Sequence, residues 1–172
     1  MQVNGWTLYL HPLLRQQLET LAAGVEAIKA KDAPGYNQLP AAKLLATINR
    51  FIREIIPRDP GAAEFRQGNA LGPDNRHWLR AKFHQRCRLF YRFSSREKII
   101  IYAWVNDERT LRKAGSSTDP YAVFRAMLNA GNPPDAMTAL RAAATKIETV
   151  ERQDRSLAKT PAKGVDRRKP RS

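Results

Sequence analysis

Apolar residues at Leu14, Leu18, Leu21, Val25 and Ile28 recur at spacings of three and four, the period of one face of an α-helix. Pro12 suits the first turn of that helix, and the Asp32-Ala33-Pro34-Gly35 cluster ends it. A second stripe, Leu44, Ile48, Ile52 and Ile55, predicts a helix that begins after Pro40 and stops before Pro57. Trp6 to Leu10 alternates weakly and predicts a short strand. The segment 58–76 is rich in turn pairs such as Pro60-Gly61 and Gly68-Asn69. Three strands are predicted next, at about 77–85, 87–94 and 98–106, with a Ser94 to Glu97 turn joining the last two. Ile99 to Val105 is apolar on both faces, as in a central strand. A helix from about Pro120 to Ala130 carries Val123, Met127 and Leu128 and is closed by Gly131; an alanine-rich helix is expected from Pro134 to about Val150. These elements predict an α+β fold in which a helical hairpin covers one face of a small sheet.

Alternation within the strands locates a candidate site. Strand side chains point to opposite faces with period two, so Trp78, Arg80 and Lys82 share one face while Leu79, Ala81 and Phe83 share the other. Likewise Arg88, Phe90 and Arg92 point one way, and Cys87, Leu89, Tyr91 and Phe93 the other. A solvated outer face would show the same spacing. Trp78 and Phe90 favour a nucleic-acid reading, because aromatics among exposed cations are what base stacking uses.

Charge supports a polyanionic partner. Lys and Arg number 30 against 16 Asp and Glu, a net +14 in 172 residues. The stretch 152–172 holds eight Lys or Arg against Asp154 and Asp166 and too few apolar residues for a core. The division expected is therefore a domain at 1–151 and a basic, disordered tail at 152–172, which carries +6 of the +14. The N-terminus does not read as a signal peptide, and the longest apolar run, Ile99 to Val105, is far short of the ~20 residues of a spanning helix. With one cysteine, Cys87, the expected setting is the cytoplasm, with no membrane.

Other chemistries find little support. His11, His77 and His84 show no metal-ligand spacing, and no dinucleotide, P-loop or nucleophile-elbow motif occurs, so no metal or cofactor is expected. Arginine is different: its planar fork of five donors matches phosphate and keeps its charge near neutrality.

Several blocks in series carry a resemblance. VNGWTLYLHP at 3–12, AAKLLATINRFI at 41–52, FRQGNALG at 65–72, HWLRAKF at 77–83, CRLFYRF at 87–93 and WVNDERTLRKAG at 104–115 closely resemble the YhaV toxins, within the RelE-type ribonuclease superfamily. The resemblance implies a RelE-like fold, with a strand and helical hairpin on a small, curved, mainly antiparallel sheet. It implies a metal-independent endoribonuclease that cleaves mRNA, in many relatives on the ribosome, by attack of a ribose 2′-OH on the adjacent phosphate. It places the catalytic arginine at Arg88 and further basic positions at Arg80 and Lys82. It places a last functional residue after the final strand, among Asn106, Asp107, Arg109 and Arg112. Together with Trp78, Arg86, Phe90 and Arg92, Asn106, Arg109 and Arg112 are the expected RNA contacts. The general acid and base stay open, with Lys82 one option. The implied partners are a PrlF-like antitoxin, mRNA, the ribosome and, for the toxin–antitoxin complex, promoter DNA. The alternative is a non-catalytic RNA- or ribosome-binding protein on the same fold.

Overall fold

The computed structural model describes residues 1–31 and 34–147; the expected tail at 152–172 and its boundary at 151 lie outside the described residues. The chain opens with β1 (Gln2–Val3) and β2 (Trp6–Leu10), which pair through a turn at Asn4 and Gly5, both at positive φ. At the end of β2 the buried His11 caps α1 (Pro12–Lys29): its Nδ1 accepts the Leu13 backbone N–H at 3.2 Å. This satisfies one of the donors that a helix start leaves unpaired.

The helix expected between Pro40 and Pro57 is not uniform. It runs as α2 (Pro40–Arg50), widens to a π turn at Phe51–Ile55 and tightens to a 3-10 turn at Ile56–Arg58. Pro57 cannot donate to a continuing helix, and the Ile52 carbonyl accepts instead from the hydroxyl of Tyr102 at 2.8 Å.

The sheet is completed by β3 (Leu79–Phe83), β4 (Cys87–Ser94), β5 (Ile99–Val105) and the short β6 (Thr145–Lys146). The spatial order is β1-β2-β5-β4-β3, with β6 on β2; β2 and β5 run parallel and every other pairing is antiparallel. All seven residues of β5 are buried, as expected of a central strand. The register shifts between Phe90 and Tyr91, so that Ala103 is the extra residue of a β-bulge. The bulge reverses the alternation on β5: Ala103 and Trp104 both pack on one side, while Tyr102 and Val105 pack on the other.

Helices cover both faces. On one, α1, α2 and the π turn after it bury Leu14, Ile48 and Ile52 against Leu8, Leu89, Tyr91, Ile100 and Tyr102. On the other, α3 (Pro120–Asn129) and α4 (Met137–Ala143) pack Tyr121, Phe124, Leu128 and Leu140 on Trp78, Phe90, Ile101 and Trp104. This second layer corrects the expectation of an open basic face. The C-terminal helix expected to reach Val150 ends at Ala143, and the chain returns to the sheet as β6. No helix among the described residues is long and apolar enough to cross a membrane.

Candidate active site

The strand parity expected for Arg80 and Arg88 is observed, and it brings both side chains to the edge of the second layer, where α3 begins. In the β3–β4 register Arg80 stands opposite Phe90 and Lys82 opposite Arg88. The hairpin closes through His84 and Gln85, at φ 45° and 60°. With Arg86 they make the three-residue loop between the paired Phe83 and Cys87, and left-handed backbone is costly for side chains larger than glycine. The turn delivers the Gln85 carbonyl to Arg88 Nη1 at 3.0 Å, and the Cys87 carbonyl accepts from the same nitrogen at 2.9 Å. Arg80 is fixed in the same manner, its Nη1 donating to the Glu64 carbonyl at 2.8 Å.

Tyr121 joins the two arginines. Its hydroxyl oxygen accepts Nε–H from Arg80 at 2.9 Å and from Arg88 at 3.2 Å. Both arginines are 7% exposed, and neither forms an ion pair with a described residue. No described residue accepts from Nη2 of either guanidinium, and among the described residues no buried side-chain polar atom lacks a partner. The two Nη2 groups therefore meet solvent, while the rest of each guanidinium is held by fixed oxygens. Burying two like charges side by side without a carboxylate is unfavourable for folding alone. The arrangement suits an external anion.

The start of α3 positions Tyr121. Asp119 is the N-cap: one carboxylate oxygen accepts Tyr121 N–H at 3.2 Å, and the other accepts Lys113 N–H at 2.7 Å and the guanidinium of Arg112. The guanidinium of Arg112 also lies over the Tyr121 ring, 5.0 Å from its centroid. Asn106 is buried behind the arginines; its side chain accepts Arg88 N–H at 2.6 Å and donates to the carbonyls of Arg86 and Thr110 at 2.9 and 2.8 Å. Arg86 and Arg112 exchange a backbone hydrogen bond of 3.1 Å and a side-chain bond of 3.2 Å, which ties the loop after β5 to the β3–β4 hairpin.

The structure thus brings together Arg80, Arg88, Lys82, Arg86 and Arg112, and sets the other expected contacts apart. Lys82 is exposed on the same face. Trp78 and Phe90 are fully buried, which corrects the expectation that they stack on bases. Phe90 stacks on Phe124 with centroids 4.4 Å apart, and Trp78 packs edge-on against Phe124 while its Nε1 donates to Asp135 at 2.8 Å. Arg92 lies over Trp78 and donates to the Asp135 carbonyl; burial depresses its pKa, opposed by the Asp135 charge. Burial would raise the Asp135 pKa, but hydrogen bonds from His77 and Trp78 and the nearby positive charges leave it below the ordinary carboxylate value. These groups form a structural clip. Asn106 is a buried bracket and cannot reach a ligand without breaking its bonds. Arg109 lines a different, largely apolar groove, with Leu18, Leu21, Leu44 and Ile48. Burial raises the pKa of the Cys87 thiol, partly offset by Arg88.

Tyr121 was missed in the sequence. Its signal is the spacing Tyr121, Phe124, Leu128, an apolar stripe at three and four that has to bury against something.

Comparison with known proteins bears on this cluster. Residues 8–145 match a family model described as a toxin with endonuclease activity, of a toxin–antitoxin system. The chain is 47% identical over 135 residues to Toxin YhaV of Escherichia coli O6:H1 and to Ribonuclease toxin YhaV of Escherichia coli strain K12. Each match covers 77% of this chain and 88% of the relative. No solved structure matches the chain. Every residue of the arginine–tyrosine cluster falls inside the matched range, and the chain belongs to the YhaV family of toxins with endonuclease activity.

Proposed function

We propose that the chain is a ribonuclease toxin that cleaves mRNA without a metal ion, using Arg80 and Arg88 to bind the scissile phosphate. The observation that carries this reading is the pair of guanidinium groups that share the Tyr121 hydroxyl, form no ion pair with a described residue, and leave Nη2 to solvent.

In the reaction a ribose 2′-OH attacks the adjacent phosphorus. The 2′-O–P bond forms, the P–O5′ bond breaks, the 2′-hydroxyl proton leaves to a base and the departing O5′ takes one up. The products are a 2′,3′-cyclic phosphate and a 5′-OH. Charge on the equatorial oxygens grows in the transition state, and fixed donors already aimed at it cost no reorganisation. Two arginines held by backbone carbonyls supply such donors. Tyr121 accepts two N–H bonds, so its own proton is what it has left to give. That suits it to protonate a phosphate oxygen or the leaving O5′. Lys82, opposite Arg88, adds a mobile cation at the rim.

A PrlF-like antitoxin silences such a site by covering the two Nη2 groups or by displacing the 106–119 segment that fixes Tyr121. In this reading the toxin acts in the cytoplasm, on mRNA free or held by the ribosome, and promoter DNA is a second polyanion for the toxin–antitoxin complex.

The test is incubation of the purified protein with RNA in EDTA, with and without ribosomes, followed by analysis of the new ends. Cyclic-phosphate ends support the reading. Retention of RNA without cleavage in both conditions makes the protein a binder, and cleavage that EDTA abolishes removes the metal-independent mechanism.

A further inference from the structure

A second cleft is bordered by Tyr121. Its lining includes Arg112, Gly115, Ser116, Ser117, Tyr121 and Arg125. Its acidic group, Asp119, is already engaged by Arg112 and by the backbone N–H groups of Lys113 and Tyr121. Arg125 is exposed and forms no hydrogen bond or ion pair with any described residue.

Arg125 is nonetheless placed. Its guanidinium packs on the backbone of Gly72, where a Cβ would sit 3.2 Å from both Cζ and Nη2. Gly72 has φ +89°, a conformation open to glycine and strained for other residues. The turn before β3 therefore leaves room for this guanidinium, and Asp74 in that turn forms no ion pair with it. On α3, Arg125 follows Tyr121 by four residues, so both lie on one face about one helical pitch, ~5.4 Å, apart. That offset is on the scale of one nucleotide step along a strand.

We infer that this cleft is a second phosphate subsite, in which Arg125 holds the backbone phosphate next to the scissile one in a bound RNA strand. The inference rests on the proposed role of Arg80 and Arg88 at the scissile phosphate. It adds a direction: the strand runs along α3, from Tyr121, with Arg112 over its ring, toward Arg125. Binding energy taken from a phosphate that does not react lowers KM and leaves the chemical step alone.

The test uses oligonucleotides with a single ribose 2′-OH, all other sugars being 2′-O-methyl, so that one linkage alone is cleavable. Full-length protein is compared with Arg125→Gln by cleavage kinetics, and by fluorescence anisotropy on the all-2′-O-methyl oligonucleotide across a salt series. The variant should raise KM about tenfold, the scale of losing a charged hydrogen bond, with kcat nearly unchanged. It should also flatten the slope of log K against log salt by about 0.7. Replacing the flanking phosphate on one side of the cleavable linkage by a neutral methylphosphonate should erase the difference between the two proteins. If Arg125→Gln behaves as wild type, or if its penalty is the same wherever the neutral linkage is placed, the subsite is refuted while the proposed function stands. If the wild-type protein neither binds nor cleaves RNA, both fall.

Discussion

Arg88 and Tyr121, 33 residues apart in the chain, meet through a hydrogen bond of 3.2 Å from the guanidinium Nε–H to the phenol oxygen. The same oxygen accepts from Arg80, so a helix outside the sheet sets the spacing of two cations on adjacent strands. The pairing explains why α3 covers the face that carries the arginines. Its aromatic stripe buries the neighbouring part of the sheet, and its first turn reaches the arginines with a hydroxyl.

Tyr121→Phe keeps the ring, with its contacts to Phe90 and Arg112, and removes the shared acceptor. The variant should fold, bind RNA within a few-fold of wild type, and cleave about 100-fold more slowly, the lower end of what one preorganised donor contributes. Single-turnover rates at saturating RNA check this. An unchanged rate would reduce Tyr121 to a packing residue.

Phe90 is expected to matter for stability and not for RNA. Phe90→Ala removes a ring stacked on Phe124 and Trp104 and should destabilise the fold by about 3–5 kcal/mol in urea denaturation. Where the variant stays folded, its affinity for RNA should match wild type. A selective loss of affinity with little loss of stability would restore a stacking role.

His11 gives the fold a pH dependence with a definite sign. Burial holds the imidazole below its ordinary value, and Nδ1 has to be unprotonated to accept the Leu13 N–H. The unfolded chain then binds the proton more readily than the folded one, so stability rises with pH across this range. The contribution is fully present above the ordinary histidine pKa of about 6.5 and is lost as pH falls from there through the folded-state value. Denaturation midpoints should drop between pH 7 and 5. His11→Asn retains a capping acceptor and should flatten that part of the profile; an equal drop in the variant would assign it to another group.

Much of this architecture was legible because it is local. The stripes from Leu14 to Ile28 and from Leu44 to Ile55 mark the two helices, and strand alternation puts Arg80 and Arg88 on one face. What covers that face was not legible. Trp78 and Phe90 look the same in sequence whether they meet a nucleobase or Phe124, since only long-range packing decides. The stripe Tyr121, Phe124, Leu128 held the answer, because an apolar stripe on a helix needs an apolar face and the other side of the sheet was already assigned to α1 and α2. Asn106, where the resemblance places a functional residue after the final strand, is instead claimed by three backbone groups, a long-range arrangement that no local pattern shows. The widening of α2 and the return of the chain as β6 carry no periodic signal at all.

The phosphate clamp is tested most directly by the single-turnover cleavage rate of Arg88→Lys, measured at saturating RNA and below a melting temperature established for the same sample. Lysine keeps a positive charge on the strand but cannot hold the Gln85 and Cys87 carbonyls and Tyr121 while presenting a second nitrogen outward. The expected result is a loss of roughly two to three decades in rate, with RNA still bound and the fold retained. A folded Arg88→Lys protein that cleaves as fast as wild type would contradict the phosphate clamp.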